Sequence, residues 1–143
     1  MANWSVRRGS GEDLDAILAL WALSGLSLRV TDSVELLSRL LALDAEAVLI
    51  ADAETEVVGS LIAAWNGWRG GFYRLAVAPD YRRRGLATVL VREGESRLRQ
   101  RGAVRVDTTI PTDDGVALGF WTAAGYRRDG ARSRLVRSFE TAS

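Results

Sequence analysis

A mixed α/β domain, with helices laid against one sheet, is predicted by the way the apolar period changes along the chain. Apolar residues recur every three to four positions over residues 14–22 and 34–41, fall into β-type runs over residues 47–77, and return to helical spacing after Pro79. The resulting order, β-α-α-β-β-β-α-β-α-β-β, describes a mixed α+β or α/β sheet with the helix after Pro79 crossing one face. At 143 residues, 48% of them hydrophobic and 26% charged, the composition is that of one ordinary globular domain spanning residues 1–143.

Ser5–Arg8 reads as a short strand. Ser10 with Asp13 three residues on has the spacing of a helix N-cap, and Leu14, Ile17, Leu18, Trp21 and Ala22 form the apolar face of the helix it opens, which ends near Ser24-Gly25. Asp32 with Glu35 fits a capping box for a second helix whose stripe is Val34, Leu37, Leu40 and Leu41. Ala47–Ala51, a polar reversal at Asp52–Glu56 and the run Val57–Trp65 predict an antiparallel hairpin. After the Gly-rich loop Asn66–Gly71 comes a third strand, Phe72–Val77, stopped by Ala78-Pro79-Asp80 because proline lacks the ladder's donor.

A helix follows from about Gly85 to Gln100, closed by Gly102, with Leu86, Val89, Leu90 and Leu98 on its apolar side. Val104–Ile110 alternates with period two and predicts a strand. Asp114 caps a short helix through Ala124, and Tyr126–Asp129 and Arg132–Phe139 predict two closing strands around Gly130.

Composition excludes much chemistry. The chain has no Cys and no His, which removes thiolate nucleophiles, histidine bases, the common zinc sites and disulfides; no metal is expected. All 19 basic residues are Arg, so lysine Schiff-base chemistry is also absent, and against 18 acids they leave a net charge of +1, which argues against a general nucleic-acid binder. Apolar stretches such as Val48–Ala51 and Leu61–Trp65 are far shorter than a bilayer span, and Met1–Ser10 lacks the charged-then-apolar order of a signal peptide. The expectation is a cytoplasmic protein without a membrane partner.

The segment that carries chemistry is Tyr81-Arg82-Arg83-Arg84-Gly85-Leu86-Ala87, which joins a strand to a helix N-terminus. Such a junction presents unpaired backbone N–H groups and the positive end of a helix dipole, and Gly85 and Ala87 leave room for a pyrophosphate against bare backbone. Three adjacent Arg add charge-assisted donors, so the expected ligand carries two or three phosphates. Neither of the common nucleotide loops is present. The Arg-x-x-Gly-x-Ala pattern after Leu75-Ala76-Val77-Ala78-Pro79 instead resembles the acetyl-CoA-binding signature of the GNAT family of N-acetyltransferases. Asp114, Ala117, Phe120, Trp121, Gly125 and Tyr126 match, with substitutions, that family's later pattern on a short helix and the strand after it. The element order is similar over essentially the whole chain, as in small stand-alone bacterial members.

The resemblance implies the GNAT acyl-CoA N-acyltransferase fold: a mostly antiparallel central sheet with splayed middle strands and helices on both faces. It implies that the strand Phe72–Val77 diverges from Val104–Ile110, and that backbone groups of Leu75 and Val77 hydrogen-bond the pantetheine arm of acetyl-CoA in the opened wedge. Arg82, Arg83, Arg84, Gly85, Leu86, Ala87 and Thr88 would cradle the pyrophosphate, and Asp114 would reach the cosubstrate near its pantetheine end. The acceptor, an amine of a small molecule or of a protein, would enter under the two N-terminal helices and the loop Gly25–Asp32, and attack the thioester directly, without an acyl-enzyme.

Two positions depart from the family pattern. Trp121 stands where the family often has the Tyr that serves the departing thiolate; an indole N–H donates a hydrogen bond but does not give up its proton. Gly71 stands where some members carry a Glu base, leaving Tyr73 and Asp107 as the nearest candidates, each depending on strand phase, beside a water relay. Tyr126 reads as a packing residue, and Trp65 and Trp68 either line the acceptor side or pack. Arg127, Arg128, Arg132, Arg134 and Arg137 either form a solvated, partly ion-paired surface, or steer an acidic acceptor or bind nucleic acid. The reading is therefore an acetyl-CoA-dependent N-acetyltransferase. Its rivals are an acyl-CoA sensor on the same fold and an Arg-rich nucleic-acid-binding module, and a homodimer is a further possibility.

Overall fold

The computed structural model describes residues 3–139. Its contacts divide the chain into two compact units, Met1–Thr109 and Ile110–Ser143. The first unit holds five strands in the order β1 (Ser5–Arg8), β2 (Val48–Ala53), β3 (Glu56–Trp65), β4 (Gly70–Val77) and β5 (Val106–Thr108). All neighbours are antiparallel except β4 and β5, which run parallel. The helices of this unit are α1 (Leu14–Leu23), α2 (Val34–Leu43) and α3 (Leu86–Gln100). The second unit contains α4 (Gly115–Ala123). Among the described residues, no helix is long and apolar enough to cross a membrane, and no three potential metal ligands gather.

Local signals account for most element ends. The Ser10–Asp13 capping box forms at a single 3-10 turn that leads into α1: the Asp13 carboxylate accepts from the Ser10 N–H at 2.7 Å. Ser33, rather than Asp32, caps α2, its hydroxyl accepting from the Leu36 N–H at 3.1 Å. The Asp32 carboxylate is drawn instead to Arg74 on β4. β2 and β3 meet in a tighter turn than the sequence suggests, with Glu54 left-handed at φ 57°.

Helices lie on both faces of the sheet. A Cβ placed on Gly59 would come within 2.5 Å of Leu86, and one on Gly70 within 3.0 Å of Leu98, so these positions lie beneath α3. The neighbouring position Ser60 points the other way, where its hydroxyl accepts from the indole N–H of Trp21 on α1 at 2.8 Å. The core is the apolar filling of these two layers: Trp21, Leu14 and Ile17 from α1, Leu61 and Phe72 from the sheet, and Leu86, Leu90 and Val91 from α3.

Arg7 ties three elements together at the far edge. Its guanidinium bonds Asp13 at 2.9 Å and also pairs with Asp52 on β2. Arg101, at the end of α3, grips Asp44 through two bonds of 2.6 and 2.8 Å and reaches Glu46 at 2.8 Å. Arg101 holds the Asp44 carboxyl below its ordinary range, chiefly by hydrogen bonding.

Two sequence expectations change. β5 is three residues long rather than spanning Val104–Ile110. Residues 126–139 form no regular strand. A strand-like local sequence does not make a strand, because every ladder bond needs a second segment in register, and residues 126–139 make no such ladder among the described residues. Leu135, Val136 and Phe139 are accordingly exposed.

Two predictions follow from the packing and the charges. Gly94 faces Phe72 and Leu61, and a Cβ there would stand 2.8 Å from the ring of the fully buried Phe72. Gly94→Ala is expected to destabilise by about 1–3 kcal/mol by overpacking, against a helix-propensity gain of at most about 1 kcal/mol, as read by urea denaturation. Hydrogen bonds from Arg7 lower the Asp13 carboxyl to about 2. A depressed carboxylate stabilises fully above its unfolded value near 3.8 and loses that contribution as pH falls toward 2. Asp13→Asn should therefore lower stability at neutral pH and flatten its fall over this acid window in pH-dependent melts.

Candidate functional site

The site begins with a miscount between two strands. Ser60 pairs with Ala76 and Ile62 with Tyr73, so two steps along β3 face three along β4. The extra residue makes a β-bulge at Arg74-Leu75, and Arg74 takes a left-handed conformation at φ 55°. That conformation costs an L-residue about 1–2 kcal/mol. Side chains from three segments hold it. The Ser60 hydroxyl donates to the Arg74 carbonyl at 3.0 Å while accepting from Trp21. The Arg74 guanidinium pairs with Asp32, donates to the Ser27 carbonyl at 2.9 Å and lies 5.3 Å from the Trp21 ring.

The bulge decides where backbone groups point. In a trans peptide the C=O and the next N–H are opposed, so the Arg74 carbonyl turned to Ser60 directs the Leu75 N–H away from β3. The Ala78 N–H donates to the Val58 carbonyl at 2.8 Å, and the alternation of an antiparallel pair then turns the Val77 N–H and the Leu75 carbonyl to the same outer edge. Past Phe72 that edge pairs with no strand among the described residues. β5 pairs with β4 only at Gly70, Gly71 and Phe72, where the Thr108 hydroxyl closes the ladder by donating to the Phe72 carbonyl at 3.2 Å. β5 ends at Thr108, level with Phe72, so from Tyr73 to Val77 there is an open wedge in the ladder, edged on the β4 side by backbone donors and an acceptor.

β4 leads through a 3-10 turn, Pro79–Tyr81, into the Arg-rich junction. Arg83 and Gly85 are both left-handed, at φ 63° and 81°, which reverses the chain sharply ahead of α3. The first bond into the helix is from Val89 N–H to the Gly85 carbonyl at 3.1 Å, so the N–H groups of Leu86, Ala87 and Thr88 precede the intrahelical ladder. A Cβ on Gly85 would meet nothing within 4 Å, so the chain is open to solvent at this positive helix end, the kind of terminus that binds phosphate.

The three Arg are not equivalent. Arg82 turns back, donating to the Val77 carbonyl and to the Ser24 carbonyl, each at 3.2 Å, and so braces the end of β4 against the end of α1. Arg84 lies 5.0 Å over the Tyr81 ring, and Arg83 is exposed.

Strand phase places Tyr73 and Asp107 together. Asp107 is level with Gly71 in the parallel register, and Tyr73 is two residues further along β4, so both project on the face opposite α3. A Cβ on Gly71 would come within 3.2 Å of the Tyr73 ring and hydroxyl, so the ring lies over this glycine, in the room a side chain there would take. Tyr73 is 57% exposed and Asp107 is exposed. Trp65 is half-buried; Trp68 is exposed, with Arg69 stacked 4.1 Å over it.

The second unit carries the remaining candidates. The Asp114 carboxylate caps α4, accepting from the Ala117 N–H at 3.0 Å. Trp121 is buried and meets Phe120 and Tyr126 edge to face at 5.3 and 4.9 Å. Arg127, Arg128, Arg132, Arg134 and Arg137 are exposed, and Arg132 pairs with Asp129 at 3.6 Å.

The sequence profile of the Acetyltransferase (GNAT) family matches residues 15–126, from α1 through α4. The chain belongs to the GNAT acetyltransferase family. Solved structures share its fold at low identity. Ard1 from Thermoplasma volcanium superposes with a TM-score of 0.77 at 19% identity, covering 87% of this chain and 82% of its own. The PaiA N-acetyltransferase from Thermoplasma acidophilum, solved with coenzyme A, gives 0.76 at 19% identity over 91% of this chain and 94% of its own. AAC(6')-Iy, solved with the bisubstrate analog CoA-S-monomethyl-acetylneamine, gives 0.73 at 16% identity over 99% and 100%.

In this GNAT chain, sequence reasoning reached the Arg-rich junction between β4 and α3 but missed the network beneath β4. An Arg inside the apolar strand Phe72–Val77 and a Ser inside the run Val57–Ile62 were its signals, since polar residues in such runs must find partners. Ser60→Ala is expected to cost about 1–3 kcal/mol, because the buried Trp21 N–H and the Arg74 carbonyl both lose their partner. Urea melts showing no change would refute this role.

Proposed function

We propose that this chain is an acetyl-CoA-dependent N-acetyltransferase that passes the acetyl group directly to a primary amine of a small molecule or protein, with its two units acting as one catalytic domain. The observation that carries the reading is one continuous segment, β4 to α3, that supplies both kinds of donor such a cosubstrate needs. Its Leu75 and Val77 groups edge a strand-wide wedge suited to the amides of a pantetheine arm. Its helix start, open to solvent at Gly85, suits the pyrophosphate. Family membership and neighbours solved with coenzyme A and with a CoA bisubstrate analog support the same assignment.

In this reading the Leu75 N–H polarises the thioester carbonyl, a bond from the amine nitrogen to the acetyl carbon forms, and the C–S bond breaks to release the CoA thiolate. The amine must be neutral to attack. Tyr73 and Asp107, on the face opposite α3, stand where its proton can be taken, directly or through water. Neither needs a covalent intermediate, in keeping with a chain that has no Cys. Arg83, Arg84 and the N–H groups of Leu86, Ala87 and Thr88 hold the phosphates, while Arg82 braces the turn that presents them. Asp114 and Trp121 keep packing and capping roles, and no acid for the thiolate is assigned to Trp121.

Calorimetric titration of acetyl-CoA and CoA into wild type and Gly85→Glu, followed by thiol release over a panel of amines and peptides, tests this. Wild type should bind both ligands, and Gly85→Glu should weaken binding by roughly 100-fold or more, since it strains a left-handed position and puts a carboxylate before the helix end. No binding by wild type would overturn the assignment, and binding without thiol release over the panel would make the chain an acyl-CoA sensor.

A further inference from the structure

The ion pair between Asp32 and Arg74 joins two segments with different work to do. Asp32 closes the stretch between α1 and α2, and its carboxylate also accepts from the Arg29 N–H at 2.6 Å, folding that stretch onto itself. Arg74 is the bulge residue whose peptide aims the Leu75 N–H into the wedge. The pair is well removed from water, with Asp32 5% and Arg74 16% exposed. Burying two charges brings little net stability, so cohesion alone is a weak reason for the pair. What the pair does hold is a strained backbone: the guanidinium that bonds Asp32 and the Ser27 carbonyl belongs to a residue at φ 55°.

We propose that Arg74 and Asp32 are positioning residues for the acetyl donor. By clamping Arg74 in its left-handed conformation, the pair keeps the Leu75 N–H aligned with the thioester carbonyl. The proposal rests on the acetyl-CoA assignment above. Its consequence is that the α1–α2 stretch, which holds the Arg74 guanidinium through Asp32 and the Ser27 carbonyl, sets how strongly the donor is activated. A change in how that stretch is seated is felt at Leu75 without any contact between the stretch and the donor.

Glycine separates positioning from cohesion. Arg74→Gly and Arg74→Ala both delete the guanidinium, but only glycine takes the left-handed conformation without strain. The direct readout is the carbonyl stretch of bound acetyl-CoA labelled with carbon-13 in the acetyl carbonyl, measured by isotope-edited infrared spectroscopy, which needs no acceptor. Arg74→Ala should move the stretch toward the value of free acetyl-CoA, whereas Arg74→Gly should stay near wild type and keep a kcat in thiol release roughly 5- to 10-fold above that of Arg74→Ala. CoA affinity should change by less than about 3-fold in both, because the phosphates are held at α3.

Asp32→Asn, which keeps the shape and removes the charge, should shift the stretch partway and serves if Arg74→Ala does not fold. Equal spectra for the alanine and glycine variants, or an unshifted spectrum for Asp32→Asn, would overturn the positioning role. Failure of wild type to bind acetyl-CoA would instead overturn the functional assignment beneath it.

Discussion

A single hydroxyl sits at the structural centre of this chain. Ser60 takes the indole N–H of Trp21 and gives its own proton to the Arg74 carbonyl, and by doing so fixes one peptide plane in β4. All else about the wedge follows from that plane. With the Arg74 carbonyl turned inward, the Leu75 N–H turns outward, and the strand past the bulge resumes pairing with β3 one residue out of step. Bulges of this kind bend a strand and aim its groups, and here the bulge lies just past the point where β5 ends beside β4. A strained Arg is kept in place by partners on α1, on β3 and on the stretch before α2, so several elements together hold the strained conformation.

The rest of the first unit reads as support for that arrangement. α3 packs its apolar side on the face of β3 and β4 opposite α1, with Gly59, Gly70 and Gly94 allowing close approach, and this fixes its N-terminus at the end of β4. Arg82 reinforces the same corner from the solvent side by binding the carbonyls of Val77 and Ser24. Electrostatic preorganisation of this sort needs no titrating group: oriented N–H dipoles do their work without reorganising during the reaction. That explains how a chain without His or Cys can be built for acyl transfer.

Much of this was legible from local pattern. The periods separated helices from strands, Pro79 and Gly85 marked the junction, and the Arg-x-x-Gly-x-Ala segment pointed to a phosphate-bearing ligand. What escaped was long-range. Asp32 looks like a helix cap because it stands three residues before Glu35, yet its carboxylate goes to an Arg 42 residues away, and Ser33 caps instead. Arg74 gives no sign in sequence of a left-handed backbone, which is a property of the bulge and not of the residue type. Val104–Ile110 carries seven alternating residues but only three find a ladder, and the two closing strands read at Tyr126–Asp129 and Arg132–Phe139 find none among the described residues. Periodicity reports which side chains share a face; pairing depends on a second strand that the pattern does not name.

The most direct test of the central claim, that the bulge turns backbone donors into a site for the acyl donor, is an amide-resolved NMR titration of the whole chain with acetyl-CoA. The account predicts large shifts at the Leu75 and Val77 amides together with those of Leu86, Ala87 and Thr88, while the Ala78 amide, bonded to Val58, stays comparatively still. Shifts confined to the helix start, with Leu75 and Val77 unmoved at saturation, would contradict it.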